Sequence, residues 1–82
     1  MEEQDNNLPI RYFAVQFKDK FIEGQFYGRE YFYRTKKQDL HEGDIINIQT
    51  RYGTSEVLVT RVDLTDEELK ESSYPKDKLA WY

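Results

Sequence analysis

The sequence predicts a small, mainly β domain, in which about five antiparallel strands bend into a barrel and one short helix lies near the C-terminus. Three observations indicate this fold. The chain has 82 residues, enough for one domain with one modest core. Aromatic residues make up 16% of the chain, and such side chains suit the pleated surface of a sheet. Several segments alternate apolar and polar residues, which is the period of a strand with one buried face.

The first strand is predicted after an acidic tail. Residues 1–8 show no periodicity and are interpreted as a flexible tail, which leaves residues 9–82 as the folded domain. From position 10 onward, the side chains alternate between two faces. One face holds Phe13, Val15 and Phe17, and the other holds Tyr12, Ala14 and Gln16.

The second clear strand is predicted over residues 29–35, with Tyr31 and Tyr33 on one side and Phe32 and Arg34 on the other. Residues 18–20 are a turn candidate. Residues 21–27 start with an apolar pair but are interrupted by glycine, so a short strand, a bulged strand and a loop remain open for them.

A hairpin over residues 44–62 is the strongest local prediction. Gly43 and Asp44 indicate the turn before its first strand, and residues 51–54 indicate the loop between its strands, where Gly53 tolerates a positive φ. The alternation in the second strand shifts just before Val62, which predicts a β-bulge.

The C-terminal region predicts a short helix and then an apolar segment. Thr65 and Glu68 have the spacing of a capping box, and Ser72, Ser73 and Pro75 end the helix. Residues 79–82 are expected to add a strand or to cover the end of the barrel, with Trp81 at least partly buried. The alternation across the strands predicts a core of seven residues: Phe13, Val15, Phe17, Ile46, Ile48, Val57 and Val59.

Composition and motifs exclude several classes of function. The chain has no cysteine and a net charge of −4, so it lacks thiol chemistry and the basic surface of a duplex-DNA binder. Its one histidine, His41, lies in a polar loop beside Asp39 and Glu42, but no second cluster of ligand-type residues has a recognisable spacing, and no phosphate-binding glycine loop is present. We therefore expect no enzyme activity, no metal and no cofactor. No apolar run is long enough to cross a bilayer, and we expect a cytoplasmic protein.

Aromatic residues interleaved with cations are the best candidates for a binding surface. The candidate residues are Arg29, Tyr31, Arg34, Lys36, Lys37, Arg51 and Tyr52. Tyrosine and arginine commonly anchor protein interfaces, so a non-catalytic adaptor or modulator that binds a protein partner is the leading interpretation. The alternative is a barrel that binds single-stranded nucleic acid, with rings for base stacking and cations for phosphates. The hairpin tip, Arg51 and Tyr52, is expected to form the more exposed half of this surface together with Lys36 and Lys37. Partner identity and oligomeric state remain open.

A sequence motif in residues 30–63 resembles the strand-turn-strand pattern of SH3-like barrels. Its residues are Leu40, Gly43, Asp44, Ile46, Ile48, Thr50 and Gly53, followed by Val57 and Val59. It looks most like the small N-terminal barrel of the primosomal helicase PriA, which grips the 3′ end of a DNA strand. It is also similar to short proteins of phages and mobile elements in Firmicutes, through Tyr31, Tyr33 and Thr35 before the Gly-Asp turn. The resemblance implies an SH3-like barrel of five strands.

Overall fold

The computed structural model describes residues 8–19, 21–22, 24–26, 28–72 and 74–82. Its elements are the strands β1 (Arg11–Phe17), β2 (Tyr31–Thr35), β3 (Ile45–Thr50) and β4 (Gly53–Arg61), the helix α1 (Asp66–Leu69) and a 3₁₀ turn (Lys76–Lys78). The strands form one antiparallel sheet in the order β2-β1-β4-β3, curled into a half-barrel. The predicted mainly β fold with one short C-terminal helix is confirmed.

The sheet has four strands in the described part of the chain, one fewer than about five. Between β1 and β2, the described residues form turns and a single bridge between Lys18 and Phe26. The Asp19 carboxylate accepts the main-chain N–H groups of Phe21 and Ile22, at 2.7 and 3.2 Å, and so holds the chain in a turn. This side-chain bonding competes with a strand ladder. Lys20, at the end of the predicted 18–20 turn, lies outside the described residues.

The hairpin of β3 and β4 is confirmed. One β-bulge lies just before β3, and a second lies where β4 pairs with β1. Arg51 and Tyr52 connect the strands, and Gly53 has a φ of +112°. Before β3, the N–H of Gly43 donates to the carbonyl of Val59, whose own N–H donates to the carbonyl of Asp44, both at 2.8 Å. Gly43 has a φ of +94°, so this is a bulge that begins with a left-handed glycine.

The second bulge lies in β4, where the sequence predicted one. Val15 pairs with Val59, but the neighbouring Ala14 pairs with Arg61, which leaves Thr60 as the extra residue. The Thr60 hydroxyl donates to the carbonyl of Ala14 at 3.2 Å. The shift explains why apolar alternation in the sequence breaks just before Val62.

The main core lies on one face of the sheet and confirms the predicted strand faces. Of the seven predicted core residues, Phe13, Val15, Ile48, Val57 and Val59 are buried, and Phe17 and Ile46 are partly buried against them. The β2–β3 connection adds Leu40, which is 4% exposed and was not predicted. Leu40 lies in a polar segment of the sequence, so periodicity does not reveal it.

A second core covers the opposite face of β1. Ala14 packs there with Leu64, Leu69 and Leu79, and the rings of Tyr12 and Phe32 border this cluster. The helix α1 contributes Leu69 and begins with the predicted capping box. Thr65 Oγ1 accepts the N–H of Glu68 at 3.2 Å, while Glu68 Oε1 accepts the N–H of Thr65 at 2.9 Å. Strand β1 is thus buried on both faces.

The C-terminal segment covers the core mainly with Leu79 and Tyr82, and only in part with Trp81. Leu79 is buried, and the Tyr82 ring packs edge-on against Phe13 with centroids 5.9 Å apart. Trp81 keeps 50% of its surface exposed, so it is only half covered. The segment joins the sheet through one parallel bridge, between Arg34 and Trp81.

An ion-pair network ties β4 to the start of β2 and to α1. Arg61 contacts Glu30 at 2.6 Å, Glu71 at 3.1 Å and Glu68 at 3.5 Å. Burial raises the pKa of Glu30, but hydrogen bonds from Thr60 and Arg61 outweigh it, so the net pKa lies below the ordinary value.

We expect this network to make the free energy of unfolding depend on pH in the acidic range. Because the pKa of Glu30 is lowered in the folded chain, its contribution is present above the pKa of the unfolded chain and is lost as pH falls through the folded value. Urea unfolding at pH 7, 5 and 3.5 should show a smaller acid-induced loss of stability in Glu30→Gln than in the wild type. Glu67→Gln, at an exposed position, is the control. An equal acid-induced loss in Glu30→Gln and the wild type would contradict this prediction.

Candidate functional site

Three cationic side chains and two aromatic rings meet where the C-terminal segment runs beside β2. The Arg34 guanidinium carbon lies 4.2 Å from the centroid of the Trp81 ring, and Lys36 Nζ lies 5.9 Å from the same centroid. Lys37 Nζ lies 4.3 Å from the centroid of Tyr82. These distances suit cation–π contact, strongly for Arg34 and Lys37 and marginally for Lys36. We call these five residues the cation–aromatic cluster.

Main-chain hydrogen bonds hold the two halves of the cluster together. The N–H of Arg34 donates to the carbonyl of Ala80 at 3.0 Å, and the N–H of Tyr82 donates to the carbonyl of Arg34 at 2.8 Å. Arg34 Nε also donates to the carbonyl of Leu79 at 2.7 Å. The guanidinium is therefore positioned both by the segment it contacts and by the ring beneath it.

A buried threonine fixes the turn that carries the two lysines. Thr35 is fully buried, and its hydroxyl donates to the main-chain oxygen of Tyr82 at 3.0 Å. The same hydroxyl accepts the N–H of Lys37 at 3.0 Å. One side chain thus links the end of β2 to the aromatic segment, so the lysines and the rings are preorganised relative to one another.

An open groove of about 810 Å³ runs along the cluster. Its lining residues are Leu8, Lys36, Lys37, Gln38, Asp39, Trp81 and Tyr82. Among the side chains that line it, two carry an ammonium group and one carries a carboxylate, so the summed charge of these side chains is positive in a chain whose net charge is −4. The groove therefore favours acidic groups over basic ones.

The cations of the cluster differ in their ion pairing from four other cations of the chain. Arg11, Lys18, Arg61 and Lys76 each contact a carboxylate within 4 Å. Among the described residues, no carboxylate forms such a pair with any of the three cations of the cluster. Their charges are therefore not neutralised within that part of the chain.

The structure divides the seven predicted site residues into three groups. Arg34, Lys36 and Lys37 belong to the cluster. Arg29 lies over the Tyr31 ring at 5.4 Å, near the start of β2, and Tyr31 packs edge-on against Phe17. Arg51 and Tyr52 form the tip of the hairpin, where Tyr52 is 90% exposed.

The strand register places the lysines and the hairpin tip at opposite ends of the sheet. β2 ends at Thr35, which pairs with Arg11 at the start of β1. β4 begins beyond the other end of β1, because Phe17 pairs with Val57, four residues after Gly53. Sequence reasoning expected Lys36 and Lys37 to lie beside Arg51 and Tyr52. The sheet instead keeps these two pairs of residues apart.

Sequence reasoning missed Trp81 and Tyr82 as members of the site. The apolar segment 79–82 was interpreted as core or as a strand, and its rings were not connected with Arg34. These residues are far apart in the sequence, and a single parallel bridge joins them. No local pattern encodes that bridge. The only available signal was a pair of adjacent aromatic residues with no alternation to bury both.

The polar residues outside the cluster include those of the turn before β3. The main-chain N–H of His41 donates to Asp44 Oδ2 at 2.8 Å, so Asp44 serves the turn before β3. Across the described residues, no group of three or more His, Cys, Asp or Glu side chains is placed to hold a metal ion. Within the same residues, no helix has the length and apolar character required to cross a membrane.

No family model matches this chain, and neither a curated protein nor a solved structure matches it significantly. The cluster and its groove are therefore the observations that support a function.

Proposed function

We propose that this chain is a non-catalytic interaction module that binds an acidic segment of a protein partner in the groove beside Trp81. The observation that carries the proposal is the cluster itself. Three cations without carboxylate partners among the described residues stand over two aromatic rings, one of them half exposed. Aromatic and arginine side chains in such a patch are the usual anchors of protein interfaces.

Two features support a protein partner over single-stranded nucleic acid. Arg34 covers one face of Trp81, and Lys37 lies over Tyr82, so less ring surface is left for base stacking. The chain as a whole is acidic, which opposes the approach of a nucleic-acid strand, charged at every nucleotide, more than that of a short segment with a few carboxylates. Nucleic-acid binding remains the second candidate, because an exposed indole beside three cations also suits a stacked base and its phosphates.

We expect peptides selected from a random display library on the immobilised chain to be rich in aspartate and glutamate. Titration calorimetry should show that Trp81→Ala and Lys37→Ala each weaken their binding about tenfold or more, equivalent to about 1.4 kcal/mol. Tyr52→Ala and Lys70→Ala are the matched controls, since both residues are exposed and lie outside the groove. Both controls should bind like the wild type.

The outcome separates the two candidates and can exclude both. Selected peptides that bind Trp81→Ala as tightly as the wild type would remove the groove as the binding site. Loss of affinity in Tyr52→Ala alone would move the site to the hairpin tip. Tight binding of single-stranded oligothymidylate, lost in Trp81→Ala and steeply weakened by salt, would instead support the nucleic-acid function.

A further inference from the structure

The two outer edges of the sheet are treated differently. The edge of β2 is met by the C-terminal segment, which exchanges main-chain hydrogen bonds with Arg34. The edge of β3 has no such cover: in the part of the chain that the structure describes, β3 pairs with β4 alone. An uncovered edge strand presents unpaired N–H and C=O groups to any extended segment that approaches it.

The ladder defines which main-chain groups of β3 are free. The N–H of Val59 donates to the carbonyl of Asp44, so Asp44 faces β4. Inward and outward groups alternate along an antiparallel strand, and the register continues without a shift to Thr50 and Gly53. The outward groups therefore belong to Ile45, Asn47 and Gln49. The side chains of these three residues are exposed as well.

We propose that a second copy of this chain pairs with this edge, β3 against β3 in antiparallel orientation, with a two-fold axis at Asn47. In that register Asn47 faces Asn47 of the second copy, and Ile45 faces Gln49. All three outward residues then exchange N–H···O bonds with an outward residue of the other copy. The two four-stranded sheets become one continuous sheet with an isologous interface. This inference is independent of the groove.

The residues of β3 suit pairing with their own copy. Proline, lysine and other charged residues commonly protect an edge strand from pairing with another chain, and β3 contains none of them. Ile45 is 56% exposed and would be covered by the paired strand. No like charges oppose each other across the axis, because the outward side chains are neutral.

Charges at the two ends of β3 favour the antiparallel orientation and a second copy as partner. Glu42 and Asp44 precede the strand, and Arg51 follows it. The proposed register sets Arg51 opposite Gly43 of the second copy, with Glu42 and Asp44 on either side. Symmetry repeats this contact at the other end, so opposite charges meet twice.

Sedimentation equilibrium of the full chain between about 1 µM and 1 mM tests the proposal. A reversible monomer–dimer equilibrium is expected for the wild type. Asn47→Lys should raise the dimer dissociation constant about tenfold or more, because it sets two ammonium groups against each other at the axis. Thr54→Lys adds the same charge to an exposed position one strand inward, and should dimerise like the wild type.

A charge exchange provides a second test that does not depend on Asn47. Arg51→Glu should weaken the dimer, and the double variant Glu42→Arg with Arg51→Glu should restore it. Circular dichroism confirms that each variant is folded. A wild type that stays monomeric at 1 mM would overturn the proposal. Equal dimerisation of Asn47→Lys and Thr54→Lys would overturn the β3 interface.

Discussion

We expect Ile48→Ala to lower the free energy of unfolding by about 2–5 kcal/mol, measured by urea denaturation at neutral pH. Ile48 is 3% exposed and packs in the main core with Val57 and Val59. Truncation removes buried methyl groups and leaves a cavity that the surrounding core residues fill only in part. For a domain of this size, such a loss is a large part of the total stability.

The strand supplies its own control. Ile45 is the same residue type, three positions earlier, but it is 56% exposed on the outer face. At a concentration at which the chain is monomeric, Ile45→Ala should change stability by about 0.5 kcal/mol or less. If the two variants unfolded at the same urea concentration, the assignment of the inner and outer faces of β3 would be wrong.

We expect the second large loss in Arg11→Met, about 1–3 kcal/mol. Arg11 connects three segments with one guanidinium. Nε and Nη2 donate to the two Asp63 oxygens at 2.8 and 3.1 Å, Nη2 to the carbonyl of Leu40 at 2.9 Å, and Nη1 to the carbonyl of Lys37 at 3.1 Å. The hydrogen bond and charge of Arg11 hold the pKa of Asp63 below its ordinary value. Without the guanidinium, the partly buried carbonyl of Leu40 loses a hydrogen-bond donor.

Two variants separate this role from that of an ordinary surface charge. Arg11→Lys should recover little of the loss, because an ammonium cannot reproduce the planar fork that meets Asp63 and two carbonyls together. Arg29→Met is the control, because Arg29 is exposed and contacts the Tyr31 ring. Full stability in Arg11→Lys, measured by the same urea titration, would show that charge alone matters.

The Arg11 contacts also bear on the groove. The carbonyl that Arg11 Nη1 reaches belongs to Lys37, whose side chain lines the groove. The guanidinium therefore fixes the loop from one side while Thr35 fixes it from the other. This arrangement joins the stability of β1 to the geometry of the proposed binding surface.

Local features of the sequence were sufficient wherever one face of a strand is buried. Phe13, Val15, Ile48, Val57 and Val59 were predicted as core because alternation in a strand directly sets which side chains share a face. The capping box of Thr65 and Glu68 was predicted for a similar reason, since its partners are three residues apart. No fifth strand is among the described elements, because the described residues between β1 and β2 form turns and the C-terminal segment joins the sheet through one bridge only.

The sequence by itself therefore determined the mainly β class, the faces of β1, β3 and β4, the hairpin and the helix start, all of which depend on neighbours within a few residues. Only the tertiary structure decided that the C-terminal segment lies beside β2 and sets Trp81 against Arg34. It also decided that the lysines after β2 and the hairpin tip lie at opposite ends of the sheet. The physical reason is that strand order and register depend on how the whole chain buries its apolar surface. Residues separated by more than 40 positions leave no periodic trace of that choice in the sequence.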